Sequence, residues 1–238
     1  MKKTAITLCF FALMLICVKT SGQGFIQDLD SENMGSLFGN ECVAKLTTGA
    51  EIEGKLTGGM IINGALARVT IKLENGEKAK FKPEDVVFLS VKVSGLTKLS
   101  MISESMVSIK EMVNTDFDKI VNRDYVIFET AMTPAKKDTY RLMQLLNPGF
   151  DSKIKVFATE KKTGGFSIGD IAVTGGADRA YLFVKRGAKA IEVRKASYKN
   201  NFQELYSDCP EMLARFQGEK IKWNDVAGHV FVYDQVCK

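Results

Sequence analysis

The sequence predicts an α+β fold that is mainly β, with a small N-terminal β-barrel, a second antiparallel β domain and a C-terminal helical layer. Two observations predict the strands. Apolar and polar residues alternate in short segments of residues 41–93 and 123–195, and turn-forming Gly, Pro and Asn residues separate these segments. A third observation predicts the helices, because apolar residues recur at a period of about 3.6 in residues 197–238.

The first 22 residues are predicted to form a secretory signal peptide. Lys2 and Lys3 precede an apolar run from Ala5 to Val18, and small or polar residues follow it up to Gly22. The run is short for a membrane span, and no later apolar run reaches about eighteen residues. We therefore expect an exported protein without a transmembrane segment after cleavage, located in the periplasm, at the cell envelope or outside the cell. A lipoprotein and an uncleaved anchor are the alternatives.

Charge and composition argue against several classes of function. Residues 1–22 contain three lysines and no acidic residue, so cleavage lowers the formal charge from +5 to +2. A chain this close to neutral gives no electrostatic case for a nucleic-acid partner. No C-x-x-C pair occurs and His229 is the sole histidine, so the sequence predicts neither a metal site nor a cofactor.

Three cysteines remain after the predicted cleavage. An odd number in an exported protein predicts one disulfide and one free thiol. Cys209 begins one predicted helix and Cys237 ends an antiparallel neighbour, so we expect these two to pair and Cys42 to stay free. Closing that loop would stabilise the fold by roughly 3–4 kcal/mol on the chain-entropy model. Three reduced, buried cysteines are the alternative.

Residues 23–40 are polar and weakly periodic, which predicts a linker or a loosely docked arm.

Residues 41–93 are predicted to form the small barrel. Its five expected strands are CVAKL, AEIEGKL, ARVTIKL, KAKFK and VVFLSVKV. The clearest hairpin centres on Asn75-Gly76, a pair that favours a type I′ turn.

The barrel segment resembles SH3-like and Sm-like barrels. The shared features are a G-x-x-x-x-G first hairpin at Gly49–Gly54, the central Asn75-Gly76 turn and a short turn, PEDV, before the last strand. The resemblance implies a fold more than a function. The RNA-binding version is disfavoured by export and because the segment shows no clear basic, aromatic face.

Residues 94–122 are predicted to be a connector with room for one helix, and residues 123–238 an antiparallel β domain that ends in helices at 197–238. In this helical part, Pro210 suits a first helical turn, with Ser207 or Asp208 as the expected cap. Asn224 is the expected cap of the final helix.

One short motif is typical of hydrolases. Gly165–Gly169 matches G-x-S-x-G, and His229 follows it downstream. That motif requires a strand before its serine and a helix after it. Here a glycine-rich loop precedes the serine and no helical pattern follows, so we predict a hairpin loop. A triad built on Ser167 and His229 is the enzymatic alternative, and the distance between the two side chains would test it.

The C-terminal helices are rich in aromatic residues. These rings favour the core of a helical layer that covers a sheet. The alternative is a partner-binding patch made of Tyr198, Tyr206 and Trp223.

Two further strings resemble a family of exported envelope proteins of Bacteroidota-type bacteria. They are LNPGFD followed by SKIKV, starting at Leu146, and KNNFQELYSDCPEM with a closing cysteine. The resemblance covers about residues 120–238. It implies export to the envelope and pairing of Cys209 with Cys237, and it implies no activity.

The sequence therefore predicts a non-enzymatic interaction or structural protein of the cell envelope, with an envelope protein as its partner. No catalytic, cofactor-binding or metal-binding residue is assigned. A binder of small ligands or glycans that uses an aromatic pocket in the second domain, and an envelope hydrolase, are the alternatives.

Overall fold

The computed structural model describes residues 24–31, 33–105, 121–134, 139–161, 166–168, 171–173, 178–185 and 187–237. The predicted signal peptide, residues 106–120 of the connector and both glycines of the G-x-S-x-G motif lie outside these ranges. Within the ranges, no helix combines the length and apolar character needed to cross a membrane.

A closed antiparallel barrel occupies the first part of the fold. The barrel strands and the strand beside them are β1 (Glu41–Leu46), β2 (Glu51–Ile62), β3 (Ala65–Lys72), β4 (Lys78–Phe81), β5 (Val86–Lys92), β6 (Tyr125–Thr133) and β7 (Thr139–Gln144). Six of them form the ring β2-β1-β5-β6-β7-β3, which closes through β2 and β3. Strand β4 pairs with β3 beside the ring.

The ring differs from the predicted one in which strands it uses. All five strands expected in residues 41–93 are present, but their order β4-β3-β2-β1-β5 leaves the ring open. Strands β6 and β7, which the sequence analysis assigned to the second domain, complete it by pairing with β5 and β3. Alternation along a strand predicts which face is buried and says nothing about which neighbour it pairs with.

The type I′ turn lies at a different Asn-Gly pair from the one predicted. Asn63 and Gly64 both have positive φ, 52° and 74°, and join β2 directly to β3. At the predicted pair, Gly76 has a φ of 85° but Asn75 is not in the positive region. The Gly76 N–H donates to the carbonyl of Leu73 at 3.0 Å, which makes a three-residue loop. The hairpin predicted there is confirmed, but the predicted type I′ turn is wrong.

A second, smaller sheet packs beside the barrel. Its strands are β8 (Ile154–Lys161), β11 (Asp178–Lys185) and β12 (Ile191–Val193), in the order β12-β11-β8. Strands β9 (Phe166–Ile168) and β10 (Ile171–Val173) form a separate hairpin between β8 and β11. Within the described ranges, the α-helices are α1 (Gly95–Ser105), α2 (Lys195–Leu205), α3 (Pro210–Arg215) and α4 (Val226–Val236). The mainly β class with C-terminal helices is confirmed.

Three apolar clusters hold these layers together. The first fills the barrel, where Met34, Leu37 and Met101 join the strand residues. The second lies between the small sheet and the C-terminal helices. The third joins the barrel wall to the other face of the small sheet through residues such as Met143 and Phe157. The small sheet is therefore covered on both faces.

Residues 24–40 pack closely against both parts, unlike the loosely docked arm predicted from their polarity. Leu29 is buried, and its N–H donates to the side-chain oxygen of Gln144 at 2.9 Å. The N–H of Ile26 donates to the carbonyl of Leu146 at 2.9 Å. The few apolar residues of this stretch all point inward. Its high average polarity therefore did not reveal that one side of the segment is buried.

Candidate binding groove on the barrel

A row of exposed side chains crosses six neighbouring strands at one end of the barrel. The register places one residue from each strand in line, and the row runs Tyr125, Lys92, Glu41, Lys55, Lys72, Lys78. All six are exposed. Because the members come from distant parts of the chain, strand register alone brings them together.

Five of these six residues line a groove of about 530 Å³ on the outside of the barrel. Glu53 and Glu74 complete its charged lining, which therefore holds three carboxylates and three ammonium groups. Tyr125 supplies an exposed aromatic ring. A groove with both hydrogen-bond donors and acceptors and an open ring can bind a polar ligand that also has an apolar face.

Gly54 allows β2 to pass close to β3 at the groove. A Cβ atom at this position would lie 2.3 Å from the backbone oxygen of Lys72 and 2.8 Å from a methyl group of Ile71. Backbone atoms cannot move aside cheaply, so any larger residue would push the two strands apart. The last glycine of the G-x-x-x-x-G hairpin therefore has a steric role.

Lys92 and Glu41 form the one ion pair of the row within the described residues. Their charged atoms lie 2.9 Å apart. The hydrogen bond from Lys92 lowers the pKa of Glu41, and the same bond raises the pKa of Lys92. Lys55 and Lys72 stand directly opposite each other, and neither forms a salt bridge with a described residue.

Cys42 lies beneath this groove and points into the barrel. Its thiol is free, and its side chain is buried opposite Gly54 in the register. Burial raises the pKa of the Cys42 thiol to about 11, which keeps it protonated at neutral pH.

The aromatic residues proposed from sequence as a partner-binding patch lie elsewhere, in the helical layer. Tyr198 and Tyr206 are buried in the core, so a partner cannot reach their rings. Trp223 is half-buried and stacks on Tyr181 with ring centroids 5.2 Å apart. The two tyrosines instead fit the other interpretation, in which the rings form the core of a helical layer, because the helices bury them against the small sheet.

His229 is also part of this core. Its Nδ1 atom lies 2.8 Å from the hydroxyl of Tyr198, and the ring of Phe216 packs edge-on against it. Burial lowers the pKa of His229 to about 4, while the carboxylate of Asp225 acts in the opposite direction. Ser167 lies in β9, which pairs with β10, and the next described element after β9 is this strand and not a helix. This local structure is the predicted hairpin and not a nucleophile elbow.

Cys209 and Cys237 lie at disulfide-bonding distance, with Cα atoms 5.5 Å apart, as predicted. They join the start of α3 to the end of α4. Pro210 occupies the first turn of α3, but neither Ser207 nor Asp208 caps it, since Cys209 is the N-cap residue and makes no side-chain cap. A 3₁₀ turn at Trp223–Asp225 precedes α4. The N-cap residue of α4 is Asp225, and not Asn224 as predicted.

Asp208 binds side chains instead of capping a helix. It accepts hydrogen bonds from the hydroxyl of Tyr233 at 2.6 Å and from Nζ of Lys185 at 2.7 Å. Burial alone would raise the pKa of Asp208, but the bonds from Lys185 and Tyr233 outweigh it and lower that pKa. The Lys185 ammonium also sits over the ring of Tyr233, 4.5 Å from its centre. The D-C-P-E string thus anchors the helices to β11.

The LNPGFD string has a structural role as well. Asn147 is fully buried, and its amide donates to the carbonyls of Phe150 and Ile154, each at 2.8 Å. Its side-chain oxygen accepts from the N–H of Val156 at 2.8 Å. One side chain thus holds the turn before β8 in place.

Sequence reasoning missed the groove. The charges of its central residues are visible in EIEGKL and RVTIK, where charged and apolar residues alternate. The sequence shows no clear basic, aromatic face, because only strand pairing brings these residues together. Among the described residues no cluster of three or more His, Cys, Asp or Glu side chains could hold a metal ion.

Comparison with protein-family models, with curated proteins and with solved structures yields no match to this chain.

Proposed function

We propose that this protein is exported to the cell envelope and acts there as a non-enzymatic binding protein, with the barrel groove as its recognition surface. The groove itself is the observation that carries the proposal. It combines six charged side chains with the exposed ring of Tyr125 on the rigid wall of a closed barrel. The closed strand pairing fixes the backbone positions of these groups, which lowers the entropy lost on binding.

The lining of the groove favours a glycan or small polar ligand over a protein partner. Protein interfaces have an apolar centre and few charges there, whereas Tyr125 is the one large exposed apolar ring of the groove. Sugars offer hydroxyl groups to both carboxylates and ammonium groups, and their C–H faces pack on aromatic rings. The enzymatic alternative has less support, because His229 is buried against Tyr198 and Phe216.

The test is site-specific photo-crosslinking in the cells that make the protein. A photoreactive phenylalanine derivative would replace Tyr125 in the groove, or Ile191 as a control that is similarly exposed on β12. We expect crosslinked envelope material from position 125 and none from position 191. Identical products from both positions, or none from either, would refute recognition by the groove. The mass of the purified protein tests export, since it should lack residues 1–22.

A further inference from the structure

We propose that the groove and the adjoining outer face of β2, β3 and β4 bind an acidic polysaccharide, a chain of sugars that carries carboxylates at regular intervals. This inference rests on the proposed function and names the ligand class of the same site. Its basis is a concentration of cations on neighbouring strands that form no salt bridge with a described residue.

Five cations share this outer face. Lys55, Lys72 and Lys78 stand side by side across the three strands, each directly opposite the next. Lys80 lies on β4 opposite Thr70, and Arg68 lies two residues before Thr70 on the same face of β3. Neither β3 nor β4 contains a carboxylate, although the chain without residues 1–22 has a formal charge of only +2. On the β1 side, Glu41 stands opposite Lys55, and Glu53 lies on the same face of β2 as Lys55. On β3 and β4, cations are therefore concentrated beyond what the composition implies.

Like charges that face each other across a strand pair destabilise a sheet. Lys72 faces lysines on both sides, and none of the five cations forms a salt bridge with a described residue. Lysines on an edge strand can prevent edge-to-edge aggregation. That explanation suits Lys78 and Lys80 on β4, but β2 and β3 are hydrogen-bonded on both sides. Lys55 also stands opposite Glu41, whose negative charge offsets part of its repulsion. An anionic ligand would remove the remaining repulsion and account for Lys72.

The spacing and the surroundings favour a sugar polymer over other polyanions. Neighbouring strands lie about 4.8 Å apart, so the three lysines present positive charge at short regular steps. Glu53 and Glu74 flank this row inside the groove. They would repel a uniformly charged phosphodiester backbone, but they accept hydrogen bonds from hydroxyl groups between the carboxylates of a polysaccharide. The ring of Tyr125 lies at the other end of the row and can pack against a sugar ring.

The experiment measures binding of the cleaved, oxidised protein to polygalacturonate by isothermal titration calorimetry. Its fully methyl-esterified form is the uncharged control polymer. We expect binding to polygalacturonate only, and an affinity that falls as salt rises, because salt screens exposed charges. Equal binding of the two polymers, or no binding of either, would overturn the proposal.

Two charge reversals of equal size locate the site. Lys72→Glu places a carboxylate in the middle of the row, whereas Lys220→Glu makes the same change at an exposed residue of the loop after α3. We expect Lys72→Glu to weaken binding by about tenfold or more, since an attraction becomes a repulsion, and Lys220→Glu to have little effect. Similar losses for the two variants would show non-specific attraction and overturn the site. Circular dichroism and the neutral variant Lys72→Gln exclude misfolding as the cause.

Three further outcomes separate the ligand class from the function. Single-stranded DNA that binds as tightly as polygalacturonate would overturn the assignment to a polysaccharide. If polygalacturonate fails to bind while crosslinks from position 125 persist, the ligand class is wrong and recognition by the groove stands. If those crosslinks are absent as well, both proposals fail.

Discussion

Replacing Asn147 by alanine removes a buried side chain that makes three hydrogen bonds to the backbone. Its amide donates to the carbonyls of Phe150 and Ile154, and its oxygen accepts from the N–H of Val156. Alanine fills part of the space but can replace none of these bonds. Because Asn147 is completely buried, water cannot readily reach the three backbone groups left behind.

The expected loss of stability follows from those bonds. Each contributes about 1 kcal/mol net, and a buried group without a partner costs about 1–3 kcal/mol, so Asn147→Ala should lower the free energy of unfolding by at least about 3 kcal/mol. Small domains have a total stability of about 5–15 kcal/mol. Asn147→Asp should be at least as damaging, since it loses both donors and places a charge beside two carbonyls.

Urea unfolding of the protein without residues 1–22, followed by tryptophan fluorescence, measures the loss. Asn75→Ala is the matched control, because Asn75 bonds only to Glu77 in an exposed turn. We expect that control to change the free energy of unfolding by less than about 1 kcal/mol. A loss below about 1 kcal/mol for Asn147→Ala would refute the view that this residue holds the turn before β8.

Three further predictions follow from the C-terminal layer and the barrel. The Cys209–Cys237 bond spans 28 residues, so replacing both cysteines by alanine should cost about 3.5 kcal/mol in urea unfolding on the chain-entropy model; an unchanged urea midpoint would contradict this. His229 has a pKa lowered by burial to about 4 in the folded protein, against an ordinary value of 6.5, so the unfolded chain takes up a proton first as the pH falls. Its contribution to stability is therefore complete above pH 6.5 and is lost as the pH falls towards 4; His229→Gln should show a weaker decline over that range, and an identical decline would argue against it. Buried Cys42 should resist iodoacetamide in the folded, non-reduced protein and gain one adduct in urea; rapid modification without urea would show that the barrel interior is accessible.

The sequence predicted several elements closely because their signals are local. The strands from β1 to β5 follow from alternation over a few residues, and α2 to α4 follow from the 3.6-residue period. The Cys209–Cys237 pair follows from cysteine number and from helix ends that lie close together. Each inference uses residues within one or two neighbouring elements, where backbone geometry alone decides which side chains share a face.

Long-range pairing explains what the sequence did not predict. Residues 24–40 appeared to be a linker, because their average polarity hides the few side chains that pack inward. The type I′ turn forms at Asn63-Gly64 and not at the predicted pair, because β2 continues through two glycines to Ile62 and pairs there with the start of β3. The buried positions of Tyr198 and Tyr206 likewise depend on how the helices pack on the small sheet.

The sequence by itself determined the element types, the mainly β class, the paired cysteines and the expectation of export. The tertiary structure decided how the ring closes through β6 and β7, and which residues meet on its outer face. The groove depends on these long-range strand pairings. Tyr125, Lys92, Glu41, Lys55 and Lys72 come from five strands, and only hydrogen-bonded register, set by burying the opposite faces of those strands in one core, places them in a row.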